Sequence, residues 1–402
     1  MQRAVSGRKR PFVGFGQLRY FQKIGEQEWK KMEERPEKGS AAGADEAWFR
    51  NRVSWLSFFF SLLVVWVHSP NVDLFAKGTE GMEAAQRLEH MGADQLGQIA
   101  VPGFFMISAY LFYRNFHIKS LAGKWNSRIK SILIPYVVWN FLYYMAYVIV
   151  TRIQAAERII GREPVPFNGE ELLAAVVRYR YNPVFWYLFQ LILLIALAPV
   201  LYAVLRRTLI GTLFLALLLL GLWKGWSLPY LNLDALFYYS AAAFLAIGRE
   251  RWGNVLERRP SGWNAQEGSV EGVFFAPVLL AVYGAFLWFS GRPGAVFYQL
   301  PFHTVLIRFW GVCIAVWAIR FIPFPAADDL VKNSFFMYAI HFPWVRLFNK
   351  LGALLLPEGA GSALAMFVAM PVLVLAVTWG LGNFMKRFMP GIYGLLSGGR
   401  GR

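Results

Sequence analysis

The sequence is short of cysteine and of charge, and each shortage excludes something. Of 402 residues one is cysteine, Cys313, and it lies inside an apolar run. No disulfide can form within the chain, which excludes a small disulfide-stapled scaffold. Charged residues make up 16% of the chain, against about 25% in an ordinary soluble domain. Acidic residues are scarcer still, 24 against 41 lysines and arginines. The chain has no HExxH, no CxxC pair, no Walker loop and no glycine-rich dinucleotide turn, so nothing suggests a metal or a nucleoside triphosphate. Residues 1–50 carry Arg8, Lys9 and Arg10 but no apolar core, which is not the pattern of a secretory leader.

What the chain does have is apolar surface. It is 57% hydrophobic and 17% aromatic, with a mean hydropathy of +0.40. A membrane span takes about 20 apolar residues of helix. Segments of that kind run roughly over 53–69, 98–116, 131–151, 183–205, 208–223, 231–248, 273–290, 301–320, 333–350 and 362–385. The expected fold is an all-α polytopic membrane bundle of about ten transmembrane helices. It comprises a polar tail (1–50), a membrane domain (51–390) and a short basic tail (391–402).

The net charge of +17 does not point to nucleic acid. The basic residues sit at the ends of apolar segments instead of forming one patch with interleaved aromatics. Arg114, Lys119, Lys124, Arg128 and Lys130 lie between the second and third segments, and no acid lies among them. Arg206 and Arg207, the loop 249–272, and Lys386 with Arg387 fall on the same side of a ten-span frame. The positive-inside rule makes that side the cytoplasm and puts both termini there, in the cell membrane. The loop 69–97, with Asp73, Glu80, Glu83, Glu89 and Asp94, falls outside. The loop 152–182 fits the frame less well, since it holds five arginines against four glutamates yet must also lie outside.

The stretch "VVWVHSP" (64–70) ends an apolar segment on a histidine, with only Ser57 and Ser61 as polar groups in the dozen residues before it. A histidine titrates near neutrality and can take a proton from a hydroxyl. Polar groups at membrane depth are costly and tend to mark function, although an interfacial histidine can also simply reach to water. Arg308, inside "TVLIRFWGV", is a second intramembrane candidate by the same argument, with an ion pair between packed helices as its structural alternative. Asp234 opens the sixth segment as a helix cap or an acceptor-site group. His90, His117 and His303 read as solvated or packing residues, and most tryptophans and tyrosines as belt and packing residues.

Further along come "VPGFFMISAYLF" (101–112), "KWNSRIKSILIPY" (124–136), "FWYL" (185–188) and "YAIHFP" (338–343). In this order, on a ten-span frame, they resemble the acyltransferase 3 family of membrane proteins, which O-acetylate glycans and related acceptors. The resemblance covers about residues 50–390. It implies a multi-pass acyltransferase that takes an acetyl or other short acyl group from acyl-CoA, a co-substrate and not a bound cofactor. The implied acceptor is a hydroxyl of a cell-surface or lipid-linked glycan. His68 matches the family's first-helix histidine, the presumed base. Ser108 and Phe105 match the second-helix motif, Arg128 the first arginine of the basic run, Trp186 the "FW" position, and Tyr338 and His341 the late "YxIH" motif.

Four positions depart from the family pattern. Ser54 and Ser57 stand where many members have an acidic residue and then an arginine, the arginine eleven residues before the histidine. Ser131 stands at the second arginine of the basic run, and Ala109 at a frequent glycine. Arg308 is therefore a candidate replacement for the missing arginine. A cationic mouth of Arg114, Lys124, Arg128 and Lys130 would suit the phosphates of coenzyme A. Ser108, Asn140, Tyr338 and Arg308 are the candidate donors to an oxyanion. Transfer could be direct or pass through an acyl-histidine. Alternatives are an exporter of a polar solute and a degenerate, non-catalytic membrane protein.

Overall fold

A computed structural model of the chain describes residues 41–75, 81–153, 163–251, 254, 256–260, 270–290 and 301–399. The expected polar tail lies outside them up to residue 40, as do Glu80 and residues 400–402. Every regular element among the described residues is helical.

In chain order these are α1 (Ala41–Val67), α2 (Met82–Tyr113), α3 (Ile118–Val150), α4 (Gly169–Val177), α5 (Pro183–Ala196), α6 (Ala198–Leu205), α7 (Thr208–Trp223), α8 (Leu233–Ile247), α9 (Val270–Ser290), α10 (Pro301–Ala318), α11 (Ser334–Leu355), α12 (Ala360–Phe388) and α13 (Pro390–Leu396). Two single turns, Val72–Phe75 and Asp329–Lys332, lie between them. Each of the ten expected apolar segments is helical. By length and composition three helices can cross a membrane: α2, α3 and α12. A fourth counts if α5 and α6, bent by 63°, form one broken span.

Several boundaries differ from the sequence reading. α2 and α3 each extend far beyond their expected segments, into the acidic loop and the basic loop. Each passes through a π-turn, Met91–Leu96 and Ile129–Leu133, that takes up an extra residue without ending the helix. α1 is helical from Ala41, so the boundary drawn at residue 50 falls inside a helix whose Trp48 and Phe49 are buried. Residues 390–396 are helical as well. Tyr393 and Leu396 are buried, and the Trp139 indole donates to the Leu396 carbonyl at 3.0 Å.

Local signals place the ends. Asn168 accepts from the Glu171 N–H at 2.8 Å and caps α4, with Glu170 and Glu171 in the favoured first turn. The α5–α6 bend falls at Pro199, which lacks the N–H that would bond the Ile195 carbonyl. The Trp125 indole supplies a donor to that carbonyl instead, at 2.9 Å, and the Tyr113 hydroxyl bonds the Ala198 carbonyl at 3.1 Å.

The core joins α1, α2, α5, α8, α10 and α11. α8 lies along α2, and both helices carry small buried residues, Ala109 on α2 and Ser240 to Ala243 and Ala246 on α8. Small side chains let two helix backbones approach closely. The contact of α1 with α2 depends on glycines: a Cβ on Gly97 would lie 2.7 Å from a Val67 methyl, and one on Gly103 would run into the Phe60 ring.

Ion pairs gather one end of the bundle. Glu46 of α1, Arg114 after α2, and Arg249 and Glu257 after α8 meet there, and Asp45 pairs with Arg259. This basic end lies away from the end where α1 finishes at Val67.

Candidate active site

His68 sits where α1 runs out. Its N–H still bonds the Val65 carbonyl at 3.1 Å, and the Ser69 hydroxyl bonds the same carbonyl at 2.6 Å. Pro70 follows and cannot continue the helix. The chain is then clamped by buried polar groups. The Glu89 carboxylate accepts from the N–H groups of Asn71 (3.1 Å) and Val72 (3.3 Å). Asn71 donates to the Asn349 side chain at 3.2 Å, and Asn349 donates to the Ser69 carbonyl at 3.3 Å. Ser69, Asn71, Glu89 and Asn349 are all buried. A titratable ring ends this apolar helix on a fixed backbone and is itself half-buried.

The His68 ring packs against His341 of α11, centroids 5.3 Å apart, and edge-on to Phe342 at 5.3 Å. His341 has no exposed surface. Its Nδ1 lies 2.6 Å from the Tyr338 carbonyl oxygen. A carbonyl can only accept, so Nδ1 carries the hydrogen and Nε2 carries a lone pair. That Nε2 is buried and has no hydrogen-bond partner among the described residues.

Behind His341 lies an aromatic wall. Tyr338 stacks on Phe185 at 5.7 Å and meets Tyr187 edge-on at 5.9 Å. Its hydroxyl donates to the Val184 carbonyl at 2.5 Å, so this expected oxyanion donor already has an acceptor. Tyr187 packs on Phe105 at 4.7 Å, and its hydroxyl lies 3.4 Å from Ser108 Oγ. His68, His341, Tyr338, Tyr187 and Ser108 thus form one contiguous line. Trp186, the expected acceptor-site residue, is half-buried beside Phe105 at 6.4 Å. Asn140 is buried and donates back to the Tyr136 carbonyl.

Arg308 and Asp234 form a separate pair of helix-borne charges. They stand on α10 and α8, near enough to act electrostatically on one another and on Tyr238 without forming an ion pair. The Asp234 carboxylate also accepts from the Ala235 N–H at 2.8 Å. No contact among the described residues joins Arg308 to His68. A different guanidinium reaches the histidine cluster: Arg346 lies 5.6 Å over the Phe342 ring. It follows His341 by five residues on the same helix, past the internal Pro343.

The four cations expected to hold the acyl donor have different surroundings. Arg114 pairs with Glu46 and lies 3.9 Å from Glu257. Burial pushes the Glu46 carboxyl up, but hydrogen bonds and charge from Arg114 and Arg50 outweigh it and hold it below the usual carboxylate range. Lys124 donates to the Phe112 carbonyl at 2.8 Å, and Lys130 is exposed. Arg128 is half-buried and lies 6.0 Å over the Phe112 ring. It lines a cavity of about 260 Å³ with Trp125, Ile132 and Ile192. It also lies near enough to Tyr187 and Tyr239 to act on them electrostatically. Tyr187 therefore lies within electrostatic reach of Arg128 and in ring contact with Tyr338. Sequence reasoning took Trp186 from "FWYL" and passed over the next residue, which is the one that lies near both. It also missed Arg52 and Arg320, both buried, and the Glu89 clamp.

A family model described as Acyltransferase domain (Acyl_transf_3) matches residues 51–382. No curated protein and no solved structure matches the chain.

Proposed function

Because the chain belongs to the acyltransferase 3 family, we propose that it is a multi-pass O-acyltransferase of the cell membrane. In this reading it crosses the bilayer about ten times with both termini in the cytoplasm, and His68 is the general base. The donor is acetyl-CoA or another short acyl-CoA, entering at the basic end with its phosphates on Arg128. The acceptor is a hydroxyl of a cell-surface or lipid-linked glycan. The observation that carries the reading is the pairing of His68 with a buried second histidine whose Nε2 lone pair is unmatched, followed by Tyr338 and by Tyr187 within electrostatic reach of Arg128.

The chemistry balances with these groups. The acceptor oxygen attacks the thioester carbonyl carbon as its proton passes to an imidazole nitrogen of His68. The C–O bond forms and the carbonyl π pair moves onto oxygen, giving an oxyanion that needs a hydrogen-bond donor beside His68; Tyr187 and Ser108 stand farther along the line, on the side from which the donor enters. The pair then returns, the C–S bond breaks, and the thiolate leaves with the proton held on His68. General-base assistance of this kind contributes about 10²–10⁴-fold in rate. His341 keeps one tautomer through its bond to the Tyr338 carbonyl, so its lone pair can accept from the His68 ring or from the acceptor hydroxyl.

An exporter would use the same interior polar groups, and it would favour broken helices in matched halves. The α5–α6 break has no counterpart of its kind among the described residues.

The test is acetyl transfer from labelled acetyl-CoA by the full chain in lipid nanodiscs. His68→Ala is expected to lose product at least about 10²-fold while remaining folded. Turnover that survives His68→Ala removes the base assignment. Failure of folded wild-type protein to bind or turn over any short acyl-CoA removes the transferase reading.

A further inference from the structure

A cavity of about 240 Å³ lies at the basic end between α1, α2, α8 and α10, and the transfer site does not use it. Its walls are almost wholly apolar, among them Val53, Leu56, Met106 and Ile107. Leu245 and Trp317, 37% and 42% exposed, form its outer lip, so the cavity opens sideways from the bundle. Two arginines line it, and both are buried: Arg52 is 4% exposed and Arg320 is 7% exposed.

A buried guanidinium calls for an anion. Arg320 donates to the Arg258 carbonyl at 3.1 Å and lies 4.9 Å over the Trp317 ring, but its Nε is buried with no acceptor among the described residues. The neighbouring carboxylates Asp45, Glu46 and Glu257 are already paired with Arg259, Arg114 and Arg249. The Arg52 guanidinium lies over the Trp48 and Phe324 rings at 5.4 and 5.5 Å. An apolar slot with two buried arginines in its wall matches one kind of molecule, an acyl chain joined to a phosphate. Basic recesses between membrane helices are recognised places for such headgroups.

We propose that this cavity binds an anionic phospholipid from the leaflet at the basic end. One acyl chain lies in the slot, and the phosphate sits on the forks of Arg320 and Arg52. The inference is independent of the transfer reading, since no lining residue touches His68 or His341. It also separates two anion sites at one end of the bundle, the donor phosphates at Arg128 and a lipid phosphate at Arg320.

Cys313 lines the slot and is the chain's one cysteine, so it reports occupancy directly. The full chain is placed in nanodiscs of phosphatidylcholine, or of phosphatidylcholine with phosphatidylglycerol, and alkylation of Cys313 by N-ethylmaleimide is timed. Phosphatidylglycerol is expected to slow alkylation about tenfold once its concentration exceeds its dissociation constant about tenfold. Arg320→Gln is expected to remove that slowing, and Arg320→Lys to restore part of it. Equal rates in the two discs overturn the proposal, and so does slowing that persists in folded Arg320→Gln. Slowing by acetyl-CoA in pure phosphatidylcholine, with none by phosphatidylglycerol, assigns the cavity to the acyl donor and also overturns it. Should Arg320→Gln fail to fold, Leu245→Trp decides: filling the slot is expected to abolish the response to phosphatidylglycerol, and a response that survives refutes the assignment.

Discussion

The two ends of this bundle treat polar groups in opposite ways. At the basic end most charges are matched inside the chain: Glu46 and Glu257 answer Arg114 and Arg249, Asp45 answers Arg259, and Lys124 answers a carbonyl. At the histidine end the backbone is matched with equal care, by Glu89, Asn71 and Asn349, but the ring at its centre is not. His341 uses one nitrogen to fix its tautomer and leaves the other bare. A buried unmatched acceptor costs about 1–3 kcal/mol, so a fold that retains one beside a second histidine keeps it for something that arrives later. Each end thus keeps a buried nitrogen without a partner among the described residues, Nε2 of His341 at one and Nε of Arg320 at the other, and charge density alone does not tell them apart.

The sharpest way to break the comparison is at the histidine pair. His341→Phe keeps a ring of similar shape and removes both nitrogens. It is expected to lower acetyl transfer by about 10²-fold, and adding it to His68→Ala is expected to cost little more, because groups that act as a unit are not additive. Independent losses in the double variant, measured by single-turnover transfer, would separate the two histidines.

At the basic end, Arg128 and Arg114 should behave differently. Arg128→Ala is expected to raise KM for the acyl donor about tenfold with kcat little changed, the pattern of lost ground-state binding. Arg114→Ala is expected to lower Tm by several degrees and leave KM within about twofold, since its partners are carboxylates of the chain itself. The reverse assignment in steady-state kinetics and melting would show that the ion-paired cation is the donor site.

A smaller effect follows from Glu46. Its carboxyl is held below the usual range, so its contribution to stability is complete above about pH 4.3, the ordinary glutamate value, and is lost as pH falls through the lowered native value. The Tm gap between wild type and Glu46→Gln is therefore expected at neutral pH and should close on acidification. A gap independent of pH would mean that packing, not charge, holds α1 to α2 at this end.

The smallest effect is expected at Lys386 and Asp329. The Lys386 hydrogen bond holds the Asp329 carboxyl below its ordinary range, but Asp329 is mostly exposed. Asp329→Asn is expected to change stability by less than about 1 kcal/mol. A larger drop in Tm would show that the α11–α12 end is tied by charge.

The sequence made much of this legible. Each of the ten apolar runs is helical, because burial and membrane length leave few alternatives to a continuous helix. His68 was legible because a titratable ring stood out at the end of a run with little else polar. His341 and Tyr338 were legible through the "YAIHFP" resemblance, although their mutual bond was not. Other features left no local trace. Tyr187 looks like any belt tyrosine until α11 places Tyr338 against it. Arg308 looked like a stand-in for the arginine absent at Ser57; Asp234 lies within its electrostatic reach, which the sequence did not indicate. The run 114–130 read as a basic loop, since charge frequency does not reveal that a π-turn carries the helix through.

The bend at Pro199 also has a consequence for how the protein is made. The Ile195 and Ala198 carbonyls find their donors on other helices, at Trp125 and Tyr113. Exposed to hydrocarbon alone, the Ile195 carbonyl would lack the helical donor that Pro199 removes, and the fourth apolar segment would be a poor lodger in the bilayer. The donors precede it in the chain, in the second and third segments, so a ribosome delivers the receptacle before the piece that needs it. The order of synthesis and the order of assembly therefore coincide at this joint, and moving α2 or α3 behind α5 in a circularly rearranged gene should impair insertion well before it impairs catalysis.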